Sequence, residues 1–250
     1  MTLRRDFFKI QNIMVYYGSG YVEELKVFDA VIIEPKGHTQ EEILALREAG
    51  VIVLAYFSIM ELPAYHEDFE SLQTDFLWVN QQPIINKTFN TYYMNLNSPG
   101  WKAHLLNQAD LLLQEQGYDG LFLDTVGDLE NPLLEGRVKL EQIHAYIELL
   151  KMIRERNSRC LFVQNNGIEH VASYSRDYLD GVCWENPSFE KQHKAWSDMI
   201  LNKLKTYQKK YYIRVLLLTD GSVDIKYMIK IAKRNKMGYS IAKRDYLGIQ

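Results

Sequence analysis

The sequence predicts a single (β/α)8 barrel over residues 1–250, and three observations point to it. Eight short apolar, β-rich runs recur along the chain, helical patterns separate them, and the runs are continuous, as strands buried on both faces read. The runs are IMVYY (13–17), AVIIE (30–34), VIVLAYF (51–57), GLFLD (120–124), CLFVQN (160–165), GVCWE (181–185), IRVLLL (213–218) and MGYSIA (237–242).

Helix signals fall between them. Thr39 with Glu42 reads as a capping box, and Gly50 ends that helix just before the third run. Ser98-Pro99 reads as an N-cap and first-turn proline for a helix over 101–116, closed by Gly117. Further helices are expected over 137–156, 168–176, 188–209 and 222–235. Residues 62–97 are too long for an ordinary barrel loop and contain TYYMNL, which predicts an extra strand or hairpin over the mouth. Only KRDYLGIQ follows the eighth run, so the closing helix is short or missing. An open doubly wound sheet is the alternative architecture.

A chain of 250 residues with 47% hydrophobic content can bury a sizeable core. No apolar stretch reaches the roughly 20 residues that cross a bilayer, so no membrane span is expected. The first residues, MTLRRDFFKIQNIMVYYG, lack the small-residue cleavage site of a secretory signal, although a removed export signal leaves the compartment open. Cys160 and Cys183 each sit inside an apolar run and read as buried free thiols. The net charge of -3 hides an asymmetry: residues 201–250 carry 12 Lys+Arg against 3 Asp+Glu, leaving -12 on residues 1–200. The C-terminal lysines are spaced as on the wet face of a helix, so no nucleic-acid partner is expected. The acidic remainder favours neutral or cationic substrates.

Functional side chains of a parallel barrel gather at the C-terminal ends of its strands. Glu34, Glu61, Asp124, Glu185 and Asp220 end or follow five of the eight runs. Facing one another across one mouth, such acids raise each other's pKa and create a site for proton transfer. Each has a local alternative: Asp220 as a helix cap, Glu34 paired with Lys36, Glu61 solvated. Tyr16, Tyr17, Tyr56, Trp184 and Tyr239 lie in or beside the same strands, where flat rings flanking carboxylates suit a pyranose and core packing is the alternative.

Glycoside hydrolysis needs two carboxyl groups flanking the scissile bond. Asp124 and Glu185, two barrel strands apart, form the best pair, with Trp184 beside Glu185 as a group expected to raise its pKa. Asp128 reads as a helix cap or a sugar contact rather than a magnesium ligand. The six histidines (38, 66, 104, 144, 170, 193) show no HExxH spacing and the cysteines no CxxC, so no metal or cofactor is expected. A G-x-S-x-G elbow, a P-loop and a strand-end Schiff-base lysine are all absent.

Three segments resemble the glycoside hydrolase 114 family of endo-α-1,4-polygalactosaminidase-like barrels, related to the hydrolase module of Pel polysaccharide proteins. Gly50-VIVLAYFSIM-Glu61 is similar to the family's strand ending in Ser-x-Gly-Glu, with Met60 in place of the glycine. Gly117-Tyr-Asp-Gly-LFL-Asp124 is similar to its Gly-Phe-Asp-Gly-x-x-x-Asp run, although Thr125 to Asp128 departs from the Asn-x-Asp continuation. Asp180-Gly-VCW-Glu185 is similar to its Asp-Gly-x-x-x-Glu segment. The resemblance covers roughly Met14 to Pro187. It implies Asp124 as nucleophile and Glu185 as acid/base, with lesser contacts from Tyr17, Glu61, Asn165 and Asn166. It also implies a cationic amino-sugar polymer as substrate and an extracellular or exported setting. The departures at Met60 and Thr125 bear on the substrate more than on the fold.

Two rivals differ in class. One is a barrel that binds sugar without turning it over. The other is a phosphate-substrate enzyme, motivated by Asp220-Gly221-Ser222 and Lys243-Arg244 after the last two strands.

Overall fold

The computed structural model describes residues 3–242 and 246–249. Its central sheet has eight parallel strands paired in sequence order: Ile13–Tyr16, Ala30–Ile33, Ile52–Ser58, Gly120–Asp124, Leu161–Asn165, Gly181–Glu185, Arg214–Thr219 and Gly238–Ile241. A parallel bridge from Asn12 to Tyr239 brings the eighth strand beside the first, so the sheet nearly closes into the expected barrel.

Period-two alternation sorts the apolar side chains into two layers. Val15, Ile32, Leu54, Phe122, Val163, Cys183, Leu216 and Leu218 fill the barrel interior, with Phe7 and Ile10 below them. Tyr16, Val31, Val53, Leu121, Phe162, Trp184 and Leu217 face outward under the helices. The fourth and fifth strands approach closely at Gly120, where a Cβ would stand 2.3 Å from the Leu161 carbonyl oxygen, so only glycine fits. Cys160 and Cys183 are buried free thiols.

Arg214 is a buried cation at the start of the seventh strand. Its guanidinium donates to the carbonyls of Lys236 (2.7 Å) and Ile10, tying the entries of the eighth and first strands together. Arg214→Ala leaves the buried Ile10 carbonyl without its donor, frees that of Lys236, and is expected to cost about 3 kcal/mol in urea denaturation. A loss below about 1 kcal/mol would show that the barrel floor does not depend on it.

The helix signals hold with local adjustments. Thr39 and Glu42 form the capping box at the start of Gln40–Glu48. Pro99 opens Pro99–Asp110, which runs on as a π-helical turn, Leu111–Glu115, before Gly117 at φ +82°. Ser98 makes no capping bond, because its hydroxyl donates to the Asp75 carboxylate instead. The expected 168–176 helix is reduced to Ala172–Ser175, after a turn at Gly167 with φ +62°. Longer helices follow at Gly136–Arg156, Lys194–Lys210 and Ile225–Asn235. Asp224, not Asp220, caps the last of these by accepting from the Tyr227 amide. Residues 246–249 form no helix.

The insertion after the third strand carries the TYYMNL strand. Thr91–Tyr93 pairs antiparallel with both Glu61–Pro63 and Ile85–Asn86. Leu62, Leu72, Phe76, Leu77, Ile84, Tyr93, Met94 and Leu96 are buried in the outer core, which makes the insertion a fixed wall of the barrel.

Candidate active site

Three consecutive strands end in Asp124, Asn165 and Glu185, and the alternation that fills the barrel points all three into its mouth. The Asn165 side-chain amide donates to Asp124 Oδ1 at 2.8 Å and to Glu185 Oε2 at 2.7 Å. One nitrogen therefore holds both carboxylates, and the two distances limit the separation of those oxygens to about 5.5 Å. Asn166 follows with φ +55°, and its side-chain oxygen accepts the Glu185 amide at 3.1 Å, fixing the backbone of the sixth strand where its acid projects.

Tyrosines surround the pair. Tyr246 donates its hydroxyl to Glu185 Oε1, and its carbonyl accepts the Tyr17 amide at 2.8 Å. The Tyr17 ring lies 5.0 Å from that of Tyr246 and 5.1 Å from that of Tyr56. Burial, then the charges of Asp124 and Glu185, hold the Tyr17 hydroxyl well above the usual phenol range; burial and Asp124 do the same to Tyr56. Burial, and then the Glu185 charge, raise the Tyr246 hydroxyl likewise.

Burial also raises the Glu185 carboxyl, assisted by the Asp124 charge and opposed by the hydrogen bonds from Tyr246 and Asn165. The mouth thus holds an acid whose proton is retained nearer neutrality, beside a second carboxylate. Beyond Asp124 the chain turns through Thr125 at φ +61°, a strained conformation for a β-branched residue. Hydrogen bonds compensate: the Thr125 hydroxyl accepts from the amides of Ile59 (3.1 Å) and Met60 (2.7 Å), which locks the loop after the third strand against the end of the fourth.

The glycoside-hydrolase family model GH114 matches residues 6–212. The chain belongs to family GH114. Among solved structures it is similar to the glycoside hydrolase domain of PelA from Pseudomonas aeruginosa, at TM-score 0.78 and 19% identity over 96% of this chain and 97% of that one. It is also similar to Ega3 of Aspergillus fumigatus in complex with galactosamine, at TM-score 0.68 and 14% identity over 96% and 93%. At such identities these likenesses establish the barrel fold. A relative in sequence, the uncharacterised protein MJ1477 of Methanocaldococcus jannaschii, is 29% identical over 203 residues, spanning 74% of this chain and 57% of that protein.

Several residues expected in the mouth of this GH114 barrel stand elsewhere. Trp184 is 3% exposed and packs outside the barrel against Phe189 and Trp196, because a strand that turns Glu185 inward turns its neighbour outward. Burial rather than the indole accounts for the raised Glu185 pKa. Tyr16 likewise points outward and donates to the Ser19 carbonyl, and Tyr239 packs against the outer core. Glu34 accepts the Lys36 amide at 3.3 Å at the edge of the mouth, near enough to Tyr56 for its charge to be felt there. Asp220 is exposed on the rim, accepting from Ser222 N and Asn186 Nδ2, and hydrogen bonds lower its pKa, first among them that with Ser222.

The phosphate reading fares poorly. The Gly221 amide is taken by Thr219 Oγ1 and that of Ser222 by Asp220 Oδ1, while Lys243 and Arg244 lie outside the described residues. The residue that sequence reasoning missed is Tyr246. Its one signal was a tyrosine just after the eighth strand, at the mouth end of the barrel.

A second acidic pair lies against the insertion. Glu61 is buried and accepts from Asn86 Nδ2 (2.9 Å) and Thr91 Oγ1 (2.6 Å). Asp128 faces it, and burial, reinforced by the Glu61 charge, pushes the Asp128 carboxyl up to about 8. The folded state thus keeps a proton that the unfolded chain releases at its ordinary value of 3.8. Its stabilising contribution is complete below that value and is lost as pH rises toward 8. Asp128→Asn keeps a donor toward Glu61 without the ionisation. Its Tm is expected to exceed the wild-type value by at least about 2–4 °C at pH 8, with the gap closing by pH 4; an equal or lower Tm at pH 8 would contradict the shared proton.

Proposed function

We propose that this chain hydrolyses an amino-sugar polymer, an α-1,4-linked galactosaminan, with Asp124 as nucleophile and Glu185 as acid/base. The observation that carries the reading is the Asn165 amide shared by both carboxylates. A separation of at most about 5.5 Å matches the spacing of retaining glycosidases and leaves no room for the water of an inverting mechanism.

In the first step Asp124 attacks the anomeric carbon while Glu185 gives its proton to the departing glycosidic oxygen, leaving a glycosyl ester on Asp124. In the second, Glu185 takes a proton from water, which attacks the same carbon and releases Asp124. Two inversions give net retention. Asn165 holds both acids in register, and Tyr17 and Tyr56 present ring and hydroxyl to the sugar.

The choice of an amino sugar rests on charge. The charges of Asp124 and Glu61 stand at the mouth, and residues 1–200 carry -12, a field that draws in ammonium groups. The galactosamine bound in the Ega3 structure agrees with it.

Tyr246 serves as a positioning residue. Its hydrogen bond stabilises the Glu185 carboxylate, so Tyr246→Phe is expected to move the alkaline limb of kcat/KM upward. An unchanged or lowered limb would remove Tyr246 from the site.

Reducing-end release from partially deacetylated α-1,4-galactosaminan, beside a small panel of other polysaccharides, tests the function. Turnover by wild type that is lost in Asp124→Asn and in Glu185→Gln is expected. Binding without turnover on every polymer would instead identify a sugar-binding barrel.

A further inference from the structure

Outside the mouth, the insertion and the helix after it bring together three metal-ligating side chains that lie far apart in sequence. His66 and Asp68 belong to the loop following the strand Glu61–Pro63, and His104 lies on the helix Pro99–Asp110. Asp68 Oδ2 stands 3.5 Å from His104 Nδ1 and 3.9 Å from His66 Nδ1, and one ligand atom from each residue lies within 4.8 Å of the other two.

The framework behind these groups is rigid. His104 stacks on Trp101 (5.0 Å, 12°), whose indole donates to the Ile59 carbonyl at 2.9 Å. The loop is closed by His66 N to Pro63 O (2.9 Å), Phe69 N to His66 O (3.0 Å) and Leu72 N to Asp68 O (3.1 Å). Phe69 anchors it against Phe76 and Tyr92. Both imidazoles are largely buried, while Asp68 is about half exposed and keeps a side open to solvent.

We propose that His66, Asp68 and His104 bind a zinc ion that fastens the insertion to the helix beneath it. Two imidazoles and one carboxylate form a borderline nitrogen and oxygen set suited to zinc, with water completing the tetrahedron. His66 Nδ1 now accepts the Asp68 amide at 3.1 Å, so that ring exchanges a hydrogen bond for the metal and the three atoms draw inward. The spacing rules that excluded a metal missed the set because its third member comes from another element.

The test is zinc titration of the full chain after chelator treatment, followed by calorimetry, with cobalt as a spectroscopic substitute. One ion per chain with a Kd of about 10 µM or tighter is expected, together with a tetrahedral cobalt absorption band and slower proteolysis of residues 62–97. Asp68→Asn and His66→Gln, both in a surface loop, are each expected to weaken zinc at least about tenfold. Affinity weaker than about 100 µM, or affinity unchanged in those variants, would overturn the site. Neither result depends on turnover, so the site stands or falls separately from the glycosidase reading.

Discussion

Asp124→Asn is expected to lower kcat/KM on galactosaminan at least about 10³-fold, which is about 4 kcal/mol of lost transition-state stabilisation. The substitution is nearly isosteric, and the new amide oxygen can still accept from Asn165 where Oδ1 does now at 2.8 Å. Folding and substrate binding should therefore survive. What disappears is the anionic oxygen that the proposed mechanism sends to the anomeric carbon, and no neighbour replaces it: Tyr17 and Tyr56 are held neutral, and Glu185 sits on the far side of the shared amide. Added azide should restore part of the activity by attacking in place of the missing carboxylate, giving a glycosyl azide of inverted configuration. A variant retaining more than about a tenth of wild-type turnover would displace Asp124 as nucleophile.

Glu185→Gln is expected to cost about 10²–10⁴-fold on the polymer, the range of a general acid. The loss should depend on the leaving group. A polymer hydroxyl needs a proton to depart, whereas an aryl galactosaminide with an acidic phenol leaves unaided, so the first step should recover on the aryl substrate while the second stays slow. That combination yields a burst of phenol followed by slow turnover. A uniform loss on both substrates would assign Glu185 to binding instead. Glutamine keeps one of the two oxygens that now accept from Tyr246 and Asn165, so the substitution preserves one of those hydrogen bonds and turns an NH2 toward the other donor.

The barrel was legible because its strands are buried on both faces, which writes them as unbroken apolar runs that few other structures produce. The strand GLFLD could be read to the residue, and with it Asp124, since the last position of a barrel strand faces the mouth. GVCWE was read equally well for Glu185 and wrongly for Trp184, although period two already implied that adjacent side chains point to opposite faces. An aromatic beside an acid in sequence is a neighbour across the sheet, not across the site.

The rest of the site is non-local. Glu61 meets Asp128 because the insertion folds back as a sheet, and Tyr246 reaches Glu185 from beyond the last periodic element. Thr125, a departure from the family pattern, is held in the left-handed region by two amides from the loop after another strand. Contacts of this kind leave no local signature, because each half is an ordinary polar residue until the fold joins them.

The anomer first released from an α-linked galactosamine oligomer, followed by proton NMR before mutarotation, is the most direct measurement of the Asp124–Glu185 arrangement. Early accumulation of the α-anomer is expected if the two carboxylates, held within about 5.5 Å by Asn165, act by double displacement. Early accumulation of the β-anomer would mean a single displacement by water and would contradict it.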